Sequence, residues 1–188
     1  MTFTGIKPCV KCIAVLAIMA GIGGTLFLYS GWYPMGADDP HNRLTYWVLE
    51  TLRERSIARA SADIEVPDDL ASPQRLLAGG ADYNDMCAGC HLKPGRESSD
   101  FTLGLYPSPP NLTQLHHKED NADTRARRRF WIIKHGIKAS GMPAWAPGHD
   151  DERIWNMVAF LEQLPELSSE QFQILAARGE NDSGHHSR

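Results

Sequence analysis

The stretch Cys87-Ala88-Gly89-Cys90-His91 decides how the rest of the sequence is interpreted. Two cysteines three positions apart could hold a zinc ion or form a redox-active thiol pair. A zinc site needs a second cysteine or histidine pair at matching spacing, and none follows cleanly. A thioredoxin-like pair belongs to a strand–helix context and has no need of the adjacent histidine. Neither interpretation accounts for all five residues.

The same five residues match the attachment motif of a c-type heme. Two thiols at this spacing can add to the vinyl groups of one porphyrin, and the adjoining imidazole then becomes an axial ligand. We therefore expect one heme c, attached through two thioether bonds from Cys87 and Cys90, with His91 as a metal ligand. Cys9 and Cys12 have the same spacing without the histidine, and we interpret them as two reduced thiols.

The second axial ligand is predicted from a short loop pattern. Gly141-Met142-Pro143 follows His91 by 51 positions. A thioether opposite an imidazole favours ferrous iron and suits an electron carrier. The flanking glycine and proline favour a fixed loop over a helical face. We therefore predict Met142 as the second metal ligand. The rival ligands all carry an imidazole: His116, His117, His135 and His149.

Beyond the heme motif, residues 72–165 resemble the class I cytochromes c. Gly79 and Tyr83 stand where that family has a small and an aromatic residue at a helix crossing. Met157 and Phe160 match the partner positions on the C-terminal helix of the family. The resemblance implies an all-α fold, with helices wrapped around one covalent heme and one heme edge exposed.

The resemblance also implies further heme-binding residues. The carbonyl of Pro110 would accept a hydrogen bond from the ligand imidazole, with Leu112 in the same stretch. Trp131, in a predicted middle helix, and Trp145 are candidate heme-packing residues whose indole N–H groups could reach a propionate. Core packing is the alternative role for both tryptophans. Eighteen residues separate His91 from Pro110, more than in compact members of the family, which indicates an inserted loop.

An apolar segment precedes the heme motif. Residues 12–37 contain no charged side chain, and about 20 apolar residues suffice to cross a bilayer as a helix. Lysines precede the segment and aspartates follow it, which predicts a cytoplasmic N-terminus. A cleaved signal peptide is the alternative, but its single candidate cleavage site lies inside the apolar run. We expect a single-pass inner-membrane anchor with a periplasmic heme domain.

Four segments are therefore predicted: a cytoplasmic tip and anchor at 1–37, a partly helical connector at 38–71, a heme domain at 72–167, and a tail at 168–188 that is disordered at its end. The connector contains side chains at helical spacing, which are Leu44, Trp47, Val48, Thr51, Leu52 and Arg55. They could pack on the heme domain, belong to a spacer, or dock another membrane subunit. The tail histidines, His185 and His186, indicate at most a loose metal site.

Composition and charge restrict the function. The net charge of −4 and the 42 % hydrophobic content argue against a nucleic-acid-binding chain and a disordered one. Residues 115–138 carry seven basic and three acidic side chains. We interpret this basic run as a surface that steers an acidic redox partner, with a solvated face as the alternative.

The predicted function is a membrane-anchored monoheme cytochrome that transfers single electrons between respiratory-chain components, alone or as a subunit of a redox complex. It needs redox protein partners, no small-molecule substrate and no catalytic residue. A heme enzyme or sensor with an open or labile sixth coordination site is the alternative. A structural clamp in a larger complex, acting through the connector, is a third possibility.

Overall fold

The computed structural model describes residues 6–114 and 121–177, and the side chains within them from residue 10 onward. These residues contain helices and no strand. The chain divides into two units, residues 1–39 and 40–188. The predicted all-α fold class is confirmed.

The first unit contains helix α1, Ile6–Ser30. Its apolar part, Val10–Ser30, has 21 residues and none of its length is buried. At about 1.5 Å per residue this part is close to 30 Å long, which matches the hydrocarbon thickness of a bilayer. The helix is therefore long and apolar enough to serve as the predicted membrane anchor.

The second unit is a bundle of short helices. Their bounds are α2 Arg43–Ala60, α3 Pro73–Asp82, a π-helical turn Tyr83–Cys87, α4 Ala88–His91, α5 Asp100–Gly104, α6 Ala122–His135, α7 Asp151–Gln163, a 3-10 turn Leu164–Glu166 and α8 Ser169–Leu175. The predicted middle helix is α6, and the predicted C-terminal helix is α7. Capping side chains begin both α3 and α7: Ser72 accepts from the Arg75 amide and Asp150 from the Arg153 amide.

The core is centred on the crossing of α3 and α7. A Cβ atom on Gly79 would overlap the carbonyl oxygen of Asn156 and lie 2.5 Å from its carbon. The missing side chain therefore lets the two helix backbones touch, as the resemblance implies. Next to the crossing, the Tyr83 and Phe160 ring centroids are 5.4 Å apart. Met157 is also buried there, with 1 % of its surface exposed.

Packing continues beyond both predicted boundaries of the heme domain. Helix α8, inside the predicted tail, places Phe172 6.1 Å from the Tyr83 ring. A Cβ on Gly80 would lie 3.0 Å from the carbonyl carbon of Leu175, so α8 approaches α3 closely. On the other side, Ile64 and Val66 from the predicted connector pack against the same core. The compact region thus begins before residue 72 and extends past residue 167.

Candidate functional site

The cysteine motif lies at the junction between the π turn and α4. Cys87 ends the π turn, while Cys90 and His91 belong to α4. Both cysteines are free thiols and are half-buried. Burial, together with the nearby charges of Asp82 and Cys90, raises the pKa of the Cys87 thiol to about 12. Two unbridged cysteines three positions apart are therefore available at this junction.

His91 is oriented through its ring nitrogen Nδ1. This atom lies 2.9 Å from the carbonyl oxygen of Pro110, so Nδ1–H donates and Nε2 keeps its lone pair. Burial lowers the pKa of His91, and the hydrogen bond to Pro110 only partly opposes this effect. The imidazole is therefore neutral, as a metal ligand must be. A backbone bond from the Leu112 amide to the His91 carbonyl, 3.2 Å, joins the two segments again.

The residue after His91 has an unusual backbone. Leu92 has φ +70° and ψ 175°, a conformation that only glycine adopts readily. Its amide donates to the Ala88 carbonyl over 3.0 Å, and its carbonyl accepts from the Tyr83 hydroxyl over 2.8 Å. Leu92 is also 3 % exposed. Hydrogen bonds and packing therefore hold a strained backbone conformation directly after His91.

Met142 lies on a loop that folds back on the end of α6. Gly136 ends the helix at φ +65°, and a Cβ there would lie 2.6 Å from the carbonyl carbon of Pro143. The Trp145 amide donates to the Ile133 carbonyl over 3.1 Å, which satisfies a carbonyl at the helix C-terminus. Met142 is half-buried and packs against the core. The loop is therefore fixed on both sides of the methionine.

The inserted loop between His91 and Pro110 joins the two parts of the site. Its Ser99 hydroxyl donates to the Gly89 carbonyl, between the two cysteines, over 2.7 Å. Its Leu105 side chain packs on Gly141, where a Cβ would lie 2.9 Å from Leu105 Cδ2. Sequence reasoning missed both contacts. A capping box that begins α5 at Ser99 was the available sign that the insertion is structured.

The remaining predicted residues lie on the surrounding elements. Leu112 and Trp145 are half-buried and pack against the core. Trp131 is half-buried on α6, with its ring 5.0 Å from that of His135. His149 Nδ1 is 3.1 Å from the Trp145 carbonyl, so this rival ligand has a partner elsewhere. Some predictions fall outside the described residues or side chains: those on His116, His117, Cys9, His185 and His186.

The donor set fits a covalently attached heme. It contains two free thiols in one helical turn and a neutral imidazole with its Nε2 lone pair available. Within residues 6–114 and 121–177, no group of three or more His, Cys, Asp or Glu side chains is arranged to hold a metal ion. This part of the chain therefore offers no zinc-type cluster that would compete for the cysteines.

Four arginines of the basic run bind partners within the fold, which neither interpretation made from the sequence included. Arg125 and Arg129 of α6 contact the Glu162 carboxylate at 2.6 and 2.7 Å, with all three side chains less than one-fifth exposed. Arg128 contacts Glu54 at 2.7 Å, and Arg127 donates to the carbonyl of Ala62 over 2.9 Å. These charges hold α6 to α7 and α2. Steering of a redox partner by the remaining charge of this run stays a prediction.

Comparison with known proteins agrees with this geometry. Residues 74–161 match a protein-family model described as "Cytochrome C oxidase, cbb3-type, subunit III". No curated protein and no solved structure matches the chain significantly. The matched segment runs from α3 to α7 and includes the cysteine motif and the Met142 loop. Residues 74–161 therefore form a c-type cytochrome domain, in agreement with the resemblance to class I cytochromes c.

Proposed function

We propose that this protein is a membrane-anchored monoheme electron carrier. The observation that carries the proposal is the hydrogen bond between His91 Nδ1 and the Pro110 carbonyl, directly after two free thiols. This bond fixes the imidazole and directs its remaining nitrogen toward a metal. A cytochrome domain supports electron carriage in general. The ligands, the single heme and the location are our inferences.

Each predicted site residue receives a role. Cys87 and Cys90 would hold one heme through thioether bonds, formed by adding their thiols to its vinyl groups, and His91 and Met142 would bind its iron. Pro110 orients His91, while Leu112, Trp131 and Trp145 line the heme. When bound, the heme supplies a one-electron ferric/ferrous couple. The protein holds both ligands in either oxidation state and excludes water, and it performs no bond chemistry of its own.

Location and partners follow from the anchor. Lysines before α1 and aspartates after it favour a cytoplasmic N-terminus and a periplasmic heme domain. A tethered carrier works at high local concentration between membrane complexes. The match to a subunit model of a terminal oxidase supports a respiratory redox complex as partner or host.

Absorption spectroscopy of the purified full-length protein tests the ligand assignment. We expect a low-spin ferric spectrum with the near-infrared methionine–iron band, and an added mass of one heme. Met142→Ala should remove the band. Met86→Leu is the matched control, because Met86 is also half-buried and lies beside the cysteine motif. Loss of the band in Met86→Leu alone would disprove the assignment of Met142.

The same measurement separates a carrier from a heme enzyme or sensor. An electron carrier should bind carbon monoxide slowly or not at all in the ferrous state, because both axial positions are filled. A high-spin ferric heme, or rapid carbon monoxide binding without denaturant, would contradict the proposal and favour an open coordination site.

A further inference from the structure

Helix α2 is attached to the cytochrome domain by one face. The Glu54 carboxylate contacts the Arg128 guanidinium of α6 at 2.7 Å. One turn further along, Ile57 is 2 % exposed. The chain after the helix is held as well, since Arg127 donates to the Ala62 carbonyl over 2.9 Å. This face therefore joins α2 to α6.

The opposite face of α2 is apolar and uncovered. Four side chains form what we call the outer stripe, and their exposed fractions are 69 % for Leu44, 62 % for Trp47, 46 % for Val48 and 67 % for Leu52. At 3.6 residues per turn they span an arc of about 140°, with Ile57 about 150° from its centre. The side chains that show helical spacing in the sequence thus point away from the heme domain.

Apolar and basic side chains share the outer face of α2. Trp and Leu are residues that enter the boundary between headgroups and acyl chains, and arginine binds anionic headgroups. At 100° per residue, Arg55 and Arg59 continue the face of the stripe beyond Leu52. Arg43, Arg55 and Arg59 are exposed on α2. Both glutamates of the helix are paired with arginine: Glu50 and Glu54 contact Arg53, and Glu54 also contacts Arg128. The accessible charge near the stripe is therefore basic and complements anionic lipid headgroups.

Chain connectivity keeps this stripe near a bilayer. Twelve residues, 31–42, join the end of α1 at Ser30 to the start of α2 at Arg43. Even fully extended they reach about 40 Å. Two of them are also exposed apolar residues, Trp32 at 82 % and Met35 at 83 %. The outer stripe by itself is an exposed apolar patch of the kind that marks an interaction site on a soluble domain.

We propose that α2 lies along the outer surface of the membrane, with the outer stripe inserted at the boundary between lipid headgroups and acyl chains. The inference rests on α1 being the membrane anchor, which belongs to the proposed function, and is independent of the heme. Because α2 is joined to α6, insertion would hold the cytochrome domain in one orientation above the bilayer.

A spin label tests the depth of the stripe in the full-length protein. The label is attached at Leu52→Cys, with Cys9 and Cys12 replaced by serine, in nanodiscs of phosphatidylethanolamine and phosphatidylglycerol. Ala60→Cys is the matched control, because it is exposed on the same helix about 150° from the stripe centre. Collision with oxygen, which enters lipid, is compared with collision with a water-soluble nickel chelate.

We expect the ratio of oxygen to chelate collisions to be several-fold higher at position 52 than at position 60. Equal ratios would overturn the proposal, as would shielding of position 52 from both reagents, which indicates a protein partner or second copy. A third label at Leu16→Cys in α1 distinguishes failure of the inference about α2 from failure of the membrane anchor. Lipid contact at 16 without contact at 52 refutes only the inference about α2, whereas loss of contact at 16 also refutes the anchor.

Discussion

The close approach at Gly79 makes a quantitative prediction for Gly79→Ala. The added Cβ would overlap the Asn156 carbonyl oxygen, 2.5 Å from its carbon and 3.0 Å from the Met157 amide nitrogen. Carbon atoms in contact prefer about 3.5–4.0 Å, so the two helix backbones must separate by about 1 Å. No rotamer change can relieve this overlap, because both partners are backbone atoms.

The separation has a cost that exceeds the gain in helix propensity. Overpacking of a core costs typically 1–3 kcal/mol and sometimes more, and here it also pulls Tyr83 from Phe160. Alanine recovers about 1 kcal/mol as a better helix former. With the cost at the upper end of that range, we expect a net loss of about 2 kcal/mol in the free energy of unfolding, which lowers Tm by roughly 7 °C.

Thermal and denaturant unfolding of the holoprotein, followed by the heme absorption, measures this loss. Gly104→Ala is the matched control, since nothing lies within 4 Å of its Cβ position at the end of α5. We expect the control to stay within about 0.5 kcal/mol of the wild type. If Gly79→Ala were equally harmless, the backbone contact of α3 and α7 would not be what requires glycine.

Three other substitutions probe the ion pairs and the insertion. Asp82 is 7 % exposed and accepts two hydrogen bonds from Arg153. Asp82→Asn should therefore lower the free energy of unfolding in urea by about 3 kcal/mol. Asp151→Asn, at an exposed ion pair, should lower it by less than about 0.5 kcal/mol, and equal losses would contradict this ranking. Burial raises the pKa of Glu54, but hydrogen bonds from Arg128 and Arg53 outweigh it, so the net pKa is lowered. Its stabilisation is therefore present above the pKa of the unfolded carboxyl and lost as pH falls through the folded pKa. Glu54→Gln should be less stable than wild type at pH 7 and equal to it once the pH is below the folded pKa, and a difference that persisted in acid would refute the electrostatic cause. Leu105→Ala removes the contact on Gly141. It should lower the pH midpoint at which the methionine–iron band disappears in an alkaline titration. An unchanged midpoint would mean that the insertion does not support the Met142 loop.

Local patterns predicted much of the cytochrome domain correctly. Ser72 and Asp150 cap α3 and α7 through contacts three residues away, so the sequence alone contains both partners. Gly79 was identified from the family resemblance, and the structure shows the backbone contact that excludes a larger residue there. The hydrogen bond between His91 and Pro110 was implied by the family resemblance and is present in the structure.

Long-range pairing was the part that sequence could not show. The arginines of α6 form a dense basic run, yet the carboxylates that neutralise Arg125 and Arg128 lie 37 and 74 positions away. The sign of a charge in a sequence does not indicate which carboxylate the fold brings to it. Similarly, α8 has a polar sequence around Phe172, and only the tertiary structure shows that this one ring completes the core.

The π turn at Tyr83–Cys87 constrains the length of the chain as strictly as its chemistry. A π turn inserts one residue into a helix, which rotates everything after it by about 100° relative to what precedes it. Gly79 and Tyr83 therefore face α7, whereas the side chains of Cys87, Cys90 and His91 project from the helix in a different direction. Deleting one residue between Gly79 and Cys87 would turn both sulfurs through more than a quarter of a revolution. Alignments of related sequences should therefore contain no gap in this interval.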